Sequence, residues 1–273
     1  MRIALLSDVH GNPIALDAVL YDIQAQGGAD AYWVLGDLAA LGYDPVGALE
    51  RPAALPNARF VRGNTDRFVT TGERPLPTPE AVRADPTLLP QLVQIAESFA
   101  WTRGYVTAAG WLGWLDALPL EQRLVLPDGT RLLGVHASPG HDDNPGIHPG
   151  TSDDELRALL AGCAADLVCV GHTHWPLDRR VDGVRVVNLG SVSNPTGRDL
   201  RASYALLDTR AEGYEVRQRR VEYDHEAVIE AVRRSRHPST EYIIASSAAN
   251  TGPRGREAEL AAPCGSSTEG VKR

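Results

Sequence analysis

The chain has 273 residues, of which 43% are hydrophobic, a formal net charge of −8 and a pI near 5.5. That length holds one large domain or two small ones with a sizeable core, and the acidic balance argues against a broad basic face that would hold nucleic acid by neutralising its phosphates. Three cysteines at 163, 169 and 264 lack the spacing of a zinc ribbon or a disulfide ladder, so no structural metal or disulfide framework is expected.

The chain opens on an apolar strand, Ile3 to Ser7, with no charged leader, cleavage site or apolar run near the ~18 residues of a spanning helix, so a cytoplasmic location with no membrane association is expected. Asn12-Pro13 then supplies an N-cap and a proline for the first helical position, Leu16, Val19, Leu20 and Ile23 share one helical face, and Gly27 ends the helix. Tyr32 to Leu35 reads as the second strand, 45–54 as a helix and Arg59 to Val61 as the third strand. Strands alternating with helices predict parallel pairing, with ligands gathered at the carboxyl ends of the strands. Residues 74–119 break this rhythm: prolines precede Leu92, Ile95, Ala96 and Phe99 at helical spacing and a Trp-rich piece follows, predicting a small helical cap near the rim of the site.

From Arg123 the pattern turns to strands, with hairpins at Pro127-Asp128-Gly129 and Asp182-Gly183. A helix from Asp153 to Leu160 precedes the apolar strand Leu167 to Val170, two strands follow at 203–208 and 214–221, and a last helix lies at 226–233. One domain is expected over 1–245, and residues 246–273, with little to bury, read as a disordered tail.

Separate predicted strand ends carry metal-ligating side chains: Asp8 and His10, Asp37, Asn64, His136, and the pair His172 and His174. Residues two apart on extended backbone share a face, so Asp8 with His10, and His172 with His174, each point two ligands one way. Carboxylate plus imidazole suits Mn, Fe, Zn and similar ions, and the lack of nearby thiolates speaks against a structural zinc site. Gly36, Gly63, Gly134 and Gly171 precede these residues and are expected to let the backbone turn or approach an anion. Asn12 caps a helix whose N-terminus favours a bound phosphate. Asp66, two positions after Asn64, is expected to orient a ligand histidine. The tryptophans at 101, 111 and 114 read as anchors for the inserted helices, with stacking on a nucleobase as the lesser alternative. His141 and His148 have a minor claim on the site, and Arg198 and Arg201 sit on a loop able to reach phosphate.

The ordered blocks Ser7-Asp8-Val9-His10-Gly11-Asn12, Gly36-Asp37, Arg62-Gly63-Asn64-Thr65-Asp66, Gly134-Val135-His136-Ala137 and Gly171-His172-Thr173-His174 resemble the motifs of the calcineurin-like metallophosphoesterases, and Asn188-Leu189-Gly190-Ser191-Val192 resembles a segment of their small bacterial phosphodiesterase branch. The resemblance spans Met1 to Asp208 and implies an α/β sandwich of two mixed β-sheets flanked by helices. It implies two divalent cations (Mn, Fe, Zn, Ni or Co), one held by Asp8, His10 and His174, the other by Asn64, His136 and His172, with Asp37 shared, and a hydroxide between them that attacks phosphorus. Asn64 and Asp66 then serve catalysis, and Asn12 and Thr65 contact substrate. The family usually has a histidine at the place of Thr65, and a threonine hydroxyl donates a hydrogen bond without serving as a general acid near pH 7. The implied substrate is a small phosphoester or nucleotide-like molecule, diesters preferred; a phosphomonoesterase, a dinucleoside polyphosphate hydrolase and a catalytically weak scaffold of the same fold are the alternatives.

Overall fold

The computed structural model describes residues 1–75 and 77–247. In chain order the elements are β1 (Arg2–Leu6), α1 (Pro13–Ala25), β2 (Ala31–Leu35), α2 (Pro45–Ala53), β3 (Ala58–Val61), α3 (Asn64–Thr71), α4 (Pro79–Ala84), a 3₁₀ turn (Pro86–Leu88), α5 (Leu89–Ala108), α6 (Leu112–Asp116), β4 (Glu121–Val125), β5 (Arg131–Val135), α7 (Asp153–Leu160), β6 (Leu167–Val170), β7 (Leu177–Val181), β8 (Val184–Asn188), β9 (Ala202–Arg210), β10 (Gly213–Val221), α8 (His225–Ser235) and α9 (Thr240–Ser247).

The strands form two five-stranded mixed sheets, ordered β10-β9-β1-β2-β3 and β4-β5-β6-β8-β7. Within them β1, β2 and β3 run parallel, as do β5, β6 and β8. Period-two alternation splits each central strand between two cores. Ile3 and Leu5 of β1, Trp33 and Leu35 of β2, and Leu167 and Cys169 of β6 meet between the sheets. Ala4, Leu6, Tyr32 and Val34 face the helical layer of α1, α2, α3, α5 and α8, and Val168 and Val170 face α7 on the opposite side. The result is a four-layer α/β/β/α sandwich whose parallel strands all deliver their carboxyl ends to one edge.

Gly134 lies inside β5 and not at an exit turn: a Cβ there would come within 2.9 Å of the Trp33 ring and 3.0 Å of Leu35. The glycine makes room for a tryptophan between the sheets, which replaces the anion-approach reading for that position. Cys163 and Cys169 are free and buried, and burial pushes the Cys169 thiol up to about 12.

Two helices have no counterpart in the sequence reading. α3 is short and rich in threonine, a poor composition for an isolated helix, and it forms because Phe68 and Val69 pack into the helical-side core while Asp66 accepts the Gly63 N–H at its start. α9 occupies 240–247, so the first two residues of the expected tail close a helix; the remainder, 248–273, lies outside the described residues. Residues 79–116 are mostly helical, with α5 packed on α2 and α3, and α6 on α3. The tryptophans anchor these helices: Trp114 meets Phe60 and Trp111 edge to face, and Trp101 packs on Tyr105 and His237. Among the described residues no helix is long and apolar enough to cross a membrane.

Candidate metal centre

The loops after β1, β2, β3, β5 and β6 converge at one edge of the sandwich, and all seven residues expected as ligands lie there. Five of the seven, Asp8, His10, Asp37, His172 and His174, have left-handed backbone, with φ between 45° and 67°. Non-glycine residues adopt that region at a cost and keep it where the surroundings impose it. Here the imposing contacts are backbone to backbone: Asp8 N–H donates to Gly36 O, His10 N–H to Asp37 O and Gly11 N–H to Leu38 O. The β2 and β3 exits are pressed together as tightly, since a Cβ on Gly36 would fall 2.7 Å from Gly63 Cα and one on Gly63 would fall 2.3 Å from Asp37 N.

The candidate ligand atoms form two neighbouring sets. In the first, His174 Nε2 lies 3.2 Å from Asp8 Oδ1 and 3.2 Å from His10 Nε2, and His10 Nε2 lies 3.8 Å from Asp8 Oδ1. In the second, Asn64 Oδ1 lies 3.1 Å from His136 Nε2 and 3.2 Å from His172 Nδ1. Asp37 stands between them, with Oδ1 3.4 Å from His136 Nε2 and Oδ2 3.6 Å from His10 Nε2.

Each histidine turns its other ring nitrogen to a backbone carbonyl: His10 Nδ1 to Ala40, His136 Nδ1 to Leu35, His174 Nδ1 to Asn194 and His172 Nε2 to Asn144, at 2.7 to 3.2 Å. A carbonyl only accepts, so these nitrogens carry the proton, and a neutral ring then directs a lone pair into the centre. Two such lone pairs face each other at 3.2 Å in His10 and His174, beside a buried Asp8 Oδ1 that has no hydrogen-bond partner. Acceptors gathered without a donor repel, and a cation among them relieves the repulsion; the donor set fits a divalent ion.

The electrostatics agree. Burial alone would lower His136, yet the charge and hydrogen bond of Asp37, with Asp8 behind it, outweigh that and lift the ring to about 10. Burial would raise Asp37 and Asp8, but the facing histidines, His136 and His174 respectively, hold both below the usual carboxylate range. Burial pushes His10 down to about 4 in spite of Asp37, and lowers His172, to which His136 adds. The buried carboxylates thus favour positive charge at the centre, as a cation among these groups would supply.

The other expected site residues fall into place differently. Asp66 turns to backbone and not to a histidine: its oxygens accept from the N–H groups of Asp37, Leu38 and Gly63 at 2.9 to 3.0 Å, so it fixes the β2 and β3 exits against each other. That corrects the histidine-orienting reading. Burial, with the charge of Asp37, raises Asp66 to about 7. Thr65 donates its N–H to Asp37 Oδ1 at 3.0 Å, and its hydroxyl is buried with no partner. Asn12 sits at the N-cap of α1, where its side-chain oxygen accepts from Ala15 N–H and Tyr43 O–H. His148 Nδ1 accepts from Gly150 N–H within its own loop, and Arg201 pairs with Asp199, which leaves neither turned to the ligands.

The sequence reading misses the groups that hold the ligands. The carbonyls of Leu35, Ala40, Asn144 and Asn194 have no residue signature, since any amino acid supplies one. Asn188 had a sequence signal, its place at the head of the Asn-Leu-Gly-Ser-Val segment, but no assigned role; it is fully buried and donates to Ile147 O, Gly171 O and Thr173 Oγ1, tying two loops around the centre to the end of β8.

A family model for the calcineurin-like phosphoesterase superfamily domain matches residues 1–212. An uncharacterized protein of Methanocaldococcus jannaschii is 28% identical over 254 residues, which are 86% of this chain and 93% of that one. A solved structure of a metallophosphoesterase from Sphaerobacter thermophilus is similar at 28% identity and a TM-score of 0.70, over 91% of this chain and 98% of that one. A hypothetical protein from Pyrococcus horikoshii, 22% identical with a TM-score of 0.73 over 91% and 99% of the two chains, has the same fold.

Proposed function

The chain belongs to the calcineurin-like phosphoesterase superfamily, and from that premise we propose that it hydrolyses phosphoesters with two divalent cations, diesters in preference to monoesters. The observation that carries this reading is the position of Asp37, whose two oxygens face the two ligand sets separately, next to a buried and unpartnered Asp8 Oδ1. In this reading Asp8, His10 and His174 hold one cation, Asn64, His136 and His172 hold the other, and Asp37 is shared. Bound there, the pair would supply an acidified water as nucleophile and neutralise charge on the phosphate oxygens. Several ions suit this nitrogen and oxygen set, manganese among them, and availability selects between them.

What the protein's own groups add follows from their positions. The backbone carbonyls behind the four histidines hold each ring in one tautomer, so the ligand nitrogens need no reorganisation. The unpartnered Thr65 hydroxyl offers a hydrogen bond to a phosphate or leaving-group oxygen. It has no titration near neutrality, so it does not protonate a strongly basic alkoxide. Substrates whose leaving group departs unprotonated are therefore favoured, a condition that activated diesters meet better than alkyl monoesters. The acidic chain suits a small phosphoester or nucleotide-like substrate over extended nucleic acid.

Bis(4-nitrophenyl) phosphate with Mn²⁺ is a direct test. Asp37→Asn and His136→Ala should each lower turnover by roughly 10²-fold or more while thermal melting stays cooperative. Turnover near the wild-type level in either variant, or a purified protein that takes up no cation at micromolar concentrations, would sink the reading.

A further inference from the structure

The segment 142–147 of the loop between β5 and α7 holds no residue of the expected ligand set, yet both of its ends are fastened to segments that carry expected ligands. At one end the carboxylate of Asp142, 7% exposed, is gripped by two guanidiniums: Arg62 Nε donates to Oδ2 at 2.8 Å, and Arg67 Nε lies 3.1 and 3.2 Å from the two oxygens. Those arginines stand two residues before and three residues after Asn64. Arg67 also reaches Asp143 at 3.1 Å and pairs with Glu73, so its donors are turned to carboxylates and away from any substrate phosphate. At the other end Ile147 O accepts from Asn188 Nδ2 at 2.8 Å and from Thr173 Oγ1 at 3.1 Å. Between the two anchors the Asn144 carbonyl accepts from His172 Nε2–H at 2.8 Å.

The loop also touches the His172 ring: a Cβ on Gly146 would fall 2.8 Å from His172 Cδ2. Asn144 is itself held, by Nδ2–H to Ser138 Oγ at 2.6 Å and by Gly146 N–H to its Oδ1 at 2.7 Å. Displacing Asp142 therefore displaces, two residues on, the carbonyl that fixes which nitrogen of His172 faces Asn64. The first set has no such link, because its histidines rest on Ala40 and Asn194.

We propose that Asp142, clamped between Arg62 and Arg67, is a positioning residue that tunes the second cation site selectively, through the Asn144 carbonyl and the tautomer of His172. The inference rests on the two-cation reading above. A partner that orients a ligand histidine is worth roughly 10- to 100-fold in metal affinity, and an aspartate held by two arginines, both less than a third exposed, gives a firm anchor for it.

Mn²⁺ titration of the full chain, followed by calorimetry and by electron paramagnetic resonance of the free ion, tests this. Wild-type protein should bind two ions. Asp142→Asn should weaken one of them roughly 10- to 100-fold and leave the other unchanged, excess Mn²⁺ should restore its turnover, and Asp142→Glu should recover part of the lost affinity. In a His172→Ala background, which keeps only the first set, Asp142→Asn should have no further effect on the remaining ion. Equal weakening of both ions, a further loss in that background, or two unchanged ions in Asp142→Asn would each overturn the inference while leaving the two-cation reading standing. Wild-type protein that binds no Mn²⁺ would overturn both.

Discussion

Gly63→Ala sets two effects of opposite sign against each other. Gly63 has φ −91° and ψ 169°, extended backbone that alanine adopts without strain. In open space the change would therefore stabilise by about 0.4–1 kcal/mol, by stiffening the unfolded chain. The space is not open: the added methyl would lie 2.1 Å from Asp37 Oδ1 and 2.3 Å from Asp37 N, where ordinary contact begins near 3.4 Å. The second of these atoms is backbone, so no side-chain rotation relieves the clash, and the β2 and β3 exits must part by about 1 Å. Overpacking of this kind costs about 1–3 kcal/mol; at the middle of both ranges it outweighs the gain and leaves a net loss of about 1.3 kcal/mol, or roughly 3–5 °C in Tm at about 2–4 °C per kcal/mol. The same displacement moves Asp37 relative to Asn64, and a misplacement of about 1 Å costs on the order of 10²-fold in rate. Urea unfolding together with bis(4-nitrophenyl) phosphate turnover under saturating Mn²⁺ reads both quantities. An unfolding midpoint at or above wild type, with turnover intact, would refute the claim that backbone contact between the two exits builds the centre.

Asn188→Ala removes donors to Ile147 O, Gly171 O and Thr173 Oγ1 in a fully buried setting; a destabilisation of about 2–4 kcal/mol is expected from the stranded acceptors, and denaturant melts within 0.5 kcal/mol of wild type would contradict it. His237, packed on Trp101 and near Ser98, is lowered by burial to about 4. Its folded pKa lies below the unfolded value near 6.5, so the unfolded chain binds the proton first. Stability is then full above pH 6.5 and falls as the pH drops from 6.5 towards 4; melting temperatures across that range should decline less steeply in His237→Gln, and parallel curves would exclude His237 as the cause.

The ligand residue types, their order along the chain and the alternation of strand and helix were legible in the sequence because they are local. Asp8 and His10 announce a site through spacing alone, and Leu16, Val19 and Ile23 announce a helical face. The sheet pairing, the helical start of α3 at Asn64 and the left-handed φ of five candidate ligands belong to the assembled structure, since each depends on backbone atoms distant in sequence. Gly134 and Gly63 illustrate the division. Both looked alike beside a ligand, yet one serves the packing of Trp33 between the sheets and the other the contact of two loops. Asp66 and Asp142 show the same limit, because a carboxylate in a sequence does not say whether it will meet a cation, an arginine or three backbone N–H groups. Residue chemistry thus determined what this chain is able to hold, and only tertiary contact decided which of its polar groups face the centre and which hold those that do.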